Sequence, residues 1–257
     1  MRGPWLRRPA PSAQGWRRLV CFPHAGGGAS FFRSWAAGLP PSVDLLAVQY
    51  PGREDRAPEP AIDDMDELAD AVAGALGGLL GEPVVLFGHS MGAAVAYEVA
   101  LRIAPRAGPR LKGVVLSAQA GPRHLAGGTL HREPDDALWA DLVRLQGTDD
   151  SLLGLEELRR LLLPTLRSDY RVIETYRPRS GAALDCPVVA CVGDADPDVT
   201  PEQAASWGEV TGRRFELEVF AGGDHFYLKR RRDELLAILL RVLGVPAWEA
   251  TPWPSTP

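Results

Sequence analysis

Gly88-His89-Ser90-Met91-Gly92 stands between an apolar β-type run, Val84 to Phe87, and an Ala-rich helical run, Ala93 to Ala104. In a strand–turn–helix setting, G-x-S-x-G is the pattern of a serine nucleophile. The glycines permit a sharp turn that lifts the hydroxyl above the strand end. The helix start then offers backbone N–H groups and a dipole that favours negative charge. The bland alternative is a tight turn with an ordinary serine, and the flanking runs argue against it.

A serine hydroxyl attacks only when a base takes its proton and a carboxylate holds that base in the right tautomer. Of five histidines, His89 adjoins Ser90, His24 opens a glycine-rich turn, and His124 and His131 fall in a helical stretch. His225, in Gly222-Gly223-Asp224-His225-Phe226, follows a strand-like run near the chain end. The order serine, acid, histidine puts the base there. Val192-Gly193-Asp194-Ala195-Asp196-Pro197-Asp198 follows another such run and offers three carboxylates. Asp196, before Pro197, is the expected acid. Asp194 is expected to order the turn, and Asp198 to face solvent or cap a helix opening at Pro201. The loop Ala118-Gln119-Ala120-Gly121 carries no carboxylate, which strengthens Asp196. Two backbone N–H donors are needed for the oxyanion. Met91 follows the serine, and Ala25 lies in Pro23-His24-Ala25-Gly26-Gly27-Gly28, after Leu19 to Phe22. With neither G-x-G-x-x-G nor G-x-x-x-x-G-K-[ST] present, that loop does not read as a nucleotide cradle.

Positioning these groups requires strands whose ends share one edge. Strand-like runs fall at Arg18–Phe22, Leu45–Gln49, Val84–Phe87, Val114–Ser117, Val188–Val192 and Glu216–Phe220. Their near-continuous apolar character suits parallel strands buried on both faces. Helical runs at Met65–Leu80, Ala93–Ile103, Pro201–Trp207 and Asp233–Leu243 alternate with them, the signature of a doubly wound α/β sheet. From about Gly121 to Arg179 no strand is indicated. Amphipathic segments near Asp135–Leu145, Leu155–Leu163 and Leu166–Tyr176 read as a helical lid. The expected organisation is a tail over residues 1–16, one domain over 17–245 with its lid at about 121–179, and a tail over 246–257. Trp248 and Trp253 in the second tail could pack back on the body.

The chain has 257 residues and a net charge of −5, enough length for a large core and no basic excess for nucleic acid. Cys21, Cys186 and Cys191 all sit in or beside apolar runs, which suits reduced core thiols in a cytoplasmic protein. Residues 1–15 lack the apolar stretch of a signal peptide, and no run is long enough to span a bilayer. Metal-ligand spacings are absent, so neither a metal nor another cofactor is expected. Lys112 and Lys229 are the only lysines beside abundant Arg, Ala, Gly and Pro, which points to a GC-rich bacterial genome. A monomer is the default expectation.

With these residues in place, the chain resembles the stand-alone type II thioesterases of polyketide and nonribosomal peptide synthesis, in the α/β-hydrolase superfamily. The matching motifs are Phe22 to Ala29, Gln49-Tyr50-Pro51-Gly52-Arg53-Glu54-Asp55-Arg56, Gly88 to Ala93, Leu163 to Tyr170, Gly193 to Pro197 and Gly223 to Leu228. The Pro51–Arg56 run is the most diagnostic, since general esterases lack it. The resemblance implies hydrolysis of acyl groups from the phosphopantetheine arm of carrier proteins, clearing stalled or wrongly primed chains. It assigns Ser90, Asp196 and His225 as the triad, with Met91 and Ala25 as oxyanion donors. Two stretches depart from the family pattern: Ser117 to Pro122 lacks basic residues, and Gln146 replaces a commoner glycine. Leu142, Leu145, Leu158, Leu162 and Tyr170 are candidates for the acyl pocket, or simply for lid packing. Six arginines between Arg159 and Arg179 could steer an acidic carrier protein or form a solvated face. A general carboxylesterase or lipase, a chain-releasing fatty acyl-carrier thioesterase and a non-catalytic binding protein are the competing readings.

Overall fold

Seven strands order themselves as β1-β3-β2-β4-β5-β6-β7 in one sheet, parallel except where β1 runs antiparallel to β3. They are β1 (Leu6–Arg7), β2 (Arg17–Phe22), β3 (Val43–Val48), β4 (Val84–His89), β5 (Leu111–Ser117), β6 (Val188–Gly193) and β7 (Phe215–Phe220). The computed structural model describes residues 4–10, 12, 14–125, 127–146, 156–179, 181 and 183–246; the side chains of Gln146 and Leu158, and Trp248 and Trp253, lie outside them. Helices α1 (Met65–Leu76), α2 (Met91–Ala107), α3 (Asp135–Gln146), α4 (Glu156–Thr175), α5 (Pro201–Ala205) and α6 (Arg232–Val242) complete the order. The doubly wound α/β architecture is the one expected.

Alternation along each strand explains why both faces are apolar. Val20, Phe22, Leu86, Val114, Leu116 and Val188 pack under α1 and α2. Leu19, Cys21, Val85, Phe87, Val115 and Val189 pack on the other face with α6 and the 3₁₀ segment Ala29–Gly38. A strand with period-two side chains must be apolar at every position when both faces are covered. The three cysteines are buried free thiols, raised by burial, Cys186 up to about 12. No described helix is long and apolar enough to cross a membrane.

Two expectations change. The first sixteen residues are not all tail: Leu6 pairs with Val48 and Arg7 with Ala47, Leu6 is buried, and the Gln49 amide donates to the Trp5 carbonyl at 2.8 Å. A two-residue strand is too short to show a period in sequence. In the lid, the helices expected on either side of Pro164 are one helix, α4. Pro164 lies on its exposed side, while Leu163, Leu166, Asp169, Val172 and Tyr176 carry one buried stripe past it. The carbonyl that proline leaves without a donor is one turn back, on the watered face. Leu163 and Leu166 close a small core with Leu138, Trp139 and Leu142 of α3.

The start of α2 is the tightest point of the fold. A Cβ at Gly88 would overlap the Gly92 carbonyl, and one at Gly92 would overlap the carbonyls of Phe22 and Pro23. Both obstacles are backbone, which cannot rotate away. Gly88→Ala and Gly92→Ala are therefore each expected to cost about 3 kcal/mol or more, read as a lowered urea midpoint in equilibrium unfolding.

Candidate active site

Parallel strands bring Ser90, Asp196, His225 and His24 to one edge, since each follows the C-terminal end of β4, β6, β7 or β2. Ser90 stands at φ 54°, ψ −125°, a conformation side chains rarely adopt. Its amide donates to the Ser117 carbonyl at 2.8 Å, and its carbonyl accepts from the Ala93 amide at 2.8 Å. The turn is thus fixed from the neighbouring strand and from its own helix.

His225 Nδ1 lies 2.9 Å from Asp196 Oδ2, with both side chains almost wholly buried. The other oxygen, Asp196 Oδ1, accepts the amides of Asp198 at 2.9 Å and Val199 at 3.3 Å. With these bonds made, the carboxylate is held as an acceptor for an Nδ1–H. That leaves His225 Nε2 free to act; it is buried, without a hydrogen-bond partner, in a wall of the chamber that holds Ser90. Asp194 Oδ1 accepts the Gly222 amide at 2.6 Å and orders the turn, as expected. Asp198 is exposed, as one of its two expected roles had it, and does not cap the helix. Thr200 and Gln203 form the capping box of α5, and Asp198 pairs at 2.7 Å with Arg144 of lid helix α3.

The chamber encloses about 250 Å³. Ala25 and Met91 line it, as do Leu142, Leu145 and Tyr170. Met91 is the first residue of α2, where an amide has no carbonyl one turn back. Leu162 lines a neighbouring cavity instead, behind the glycine loop, with Arg53 and Thr165. Gln119, Asp141, Glu174 and Gln203 add polar wall that the sequence did not single out. Asp141 is occupied by Tyr170 and Arg144, and Glu174 by His131 and two amides of the 130–131 turn. The six arginines from Arg159 to Arg179 each meet an acceptor within the chain: Asp136, Glu156, Asp135, Asp63, the Glu174 carbonyl and Asp66. That is a self-paired, solvated face.

His24 and His89 surround His225 without a carboxylate of their own. His24 stacks edge-on against Phe31 and Phe226 with ring centroids 4.8 Å away in each case. His89 contacts Ser117 Oγ at 2.9 Å, and that hydroxyl reaches Tyr227 at 2.7 Å. Burial, then the nearby His225, Lys229 and Arg53, lowers His24 to about 3. Burial, then His225, His24 and Lys229, holds His89 well below the ordinary range. Both rings are neutral near pH 7, so they add no charge that would compete with an imidazolium at His225.

A serine at a strand-to-helix elbow and a buried histidine–carboxylate pair on one edge of a parallel sheet define an α/β-hydrolase. The chain belongs to the thioesterase-domain family: the family model of that description matches residues 17–243. It is 43% identical over 239 residues to thioesterase PikA5 of Streptomyces venezuelae, covering 91% of this chain and 83% of that one. A probable cadicidin biosynthesis thioesterase of Streptomyces griseus is 44% identical over 230 residues. That match covers 89% of this chain and 63% of the relative's length. Among solved structures, the type II thioesterase BorB from the borrelidin biosynthetic cluster superposes with a TM-score of 0.86. It shares 45% identity, over 93% of this chain and 97% of that one. The family resemblance read from the motifs is borne out.

The neutral histidines make stability pH-dependent. Their folded pKa values lie below the unfolded value of about 6.5, so the unfolded chain binds more protons as pH falls through that value. The full contribution is present above about pH 6.5 and is lost below it. Between about pH 7.5 and about pH 5.5 the pair is expected to cost about 2–3 kcal/mol of unfolding free energy, measured by urea melts across that range. A flat profile would contradict neutral burial.

Proposed function

We propose that this protein hydrolyses acyl thioesters carried on the phosphopantetheine arm of carrier proteins, in the editing role of a polyketide or nonribosomal peptide synthase. The observation that carries the reading is the buried Asp196–His225 pair, whose unpartnered Nε2 shares a chamber with Ser90 at its strained elbow. Membership of the thioesterase-domain family and likeness to a type II thioesterase from a biosynthetic cluster support the choice of substrate. Residues 17–245 are read as the catalytic domain and residues 121–179 as its lid.

In this reading His225 Nε2 takes the Ser90 proton as Oγ attacks the thioester carbonyl. Asp196 keeps the Nδ1–H in place and stabilises the imidazolium. The amides of Met91 and Ala25 hold the developing oxyanion. As the C–S bond breaks, His225 returns the proton to the departing pantetheine thiolate. Water then attacks the acyl-serine, giving a proton to the same nitrogen; His225 returns that proton to Ser90 Oγ as the acyl C–O bond breaks, and the acid leaves. Leu142, Leu145 and Tyr170 contact the acyl group; the carrier protein stays outside.

Ser90→Ala is expected to fold normally and to lose about 10⁴-fold or more in kcat on an acyl-carrier substrate. Retention of most activity would sink the assignment. Hydrolysis of acyl-carrier thioesters is expected to outpace that of matched oxygen esters in side-by-side rate assays. The reverse ranking would favour a general carboxylesterase. Failure of a fluorophosphonate to label Ser90 would favour a non-catalytic protein.

A further inference from the structure

Three consecutive glycines let the loop after β2 approach the reacting centre closely, but glycines leave its direction unspecified. An oxyanion donor is useful only if its direction is set before the charge develops. The loop must therefore be held from outside, and two charged side chains hold it. Asp169 Oδ2 accepts the Gly26 amide at 2.7 Å. Arg53 Nη1 donates to the Gly27 carbonyl at 3.0 Å. The two side chains grip each other in a fork, Nη1 to Oδ2 at 2.6 Å and Nη2 to Oδ1 at 2.7 Å. They are 6% and 1% exposed, so water neither replaces nor screens these bonds.

The grip lies immediately after Ala25. Binding the Gly26 N–H fixes the peptide plane that follows Ala25, and binding the Gly27 carbonyl fixes the next turn, where Gly26 takes φ 75°. Gln49 secures the far end through the Ala29 amide at 2.9 Å. Asp169, however, belongs to lid helix α4. From the same helix, Thr165 Oγ1 donates to the Gly52 carbonyl at 2.7 Å, next to Arg53. Lid helix, Arg53 loop and glycine loop are thereby joined into one unit.

We propose that Arg53 and Asp169 are positioning residues that aim the Ala25 N–H at the oxyanion, and that this donor is in place only while α4 is seated. The inference rests on the thioesterase reading. It gives the diagnostic Pro51–Arg56 run a role in rate rather than in recognition.

Removing one partner of a buried pair leaves an isolated charge, whereas replacing both by apolar groups of similar size is often tolerated. The test is therefore the double variant Arg53→Met/Asp169→Leu, with melting temperature, kcat and KM measured on an acyl-carrier substrate. A folded protein is expected whose kcat falls about 10²–10³-fold while KM stays within about twofold. Arg53→Lys keeps the charges paired but loses the fork, and is expected to lose about tenfold in kcat with KM again unchanged. It decides the matter if the double variant does not fold. Full kcat in either folded variant, or a loss expressed only in KM, overturns the proposal. Ser90→Ala runs beside them. Activity surviving in Ser90→Ala condemns the thioesterase reading itself, while an inactive Ser90→Ala beside a fully active Arg53→Lys condemns only the positioning role.

Discussion

Helix α2 begins so close to β4 and to the end of β2 that no side-chain carbon fits at Gly88 or Gly92, and the site depends on that contact. It forces the chain to reverse within one residue and leaves Ser90 at φ 54°. It also presses the start of α2 against the carbonyls of Phe22 and Pro23, which brings the first amide of α2 beside the glycine loop that follows β2. The proposed nucleophile and both proposed oxyanion donors are thus located by one backbone packing event. Strain of this kind persists only where the surroundings over-determine it. Here the sheet does so, through the Ser117 carbonyl on the neighbouring strand.

Around that contact, the interior sorts its charges sharply. Both carboxylate oxygens of Asp196 and of Asp169 are buried with donors, and each guanidinium nitrogen of Arg53 with an acceptor. His24 and His89 have no carboxylate, and burial keeps them neutral. His225 therefore faces one carboxylate and no cationic ring, the electrostatic setting that the proposed role of a single general base requires.

The lid shows why a plausible reading of local sequence can be both right and incomplete. Pro164 is a fair signal for a helix boundary, yet α4 continues because its buried stripe, from Leu163 to Tyr176, gains more than one exposed carbonyl loses. Asp198 reads as a solvent-facing or capping residue, and Arg144 draws it into a tie between α3 and the loop after β6. The arginine-rich face of α4 satisfies itself among this chain's own carboxylates and carbonyls. For Asp198, Arg159, Arg167 and Arg171 the partner lies many residues away, and no local pattern announces it.

What the sequence determined by itself rested on short-range geometry. The elbow at Ser90, the alternation of strands and helices, the helical interruption and the glycine loop at Ala25 all follow from residue types at fixed small spacings. Chain order selected Asp196 and His225 because parallel strands put every such loop on the same edge. Only the tertiary structure decided what meets across that edge. Leu162 turns away from the chamber, Leu6 joins the sheet, and Arg53 and Asp169, 116 residues apart, close on the loop between them. Spacing in sequence specifies direction along an element, but buried charges find their partners only where the whole chain has excluded water.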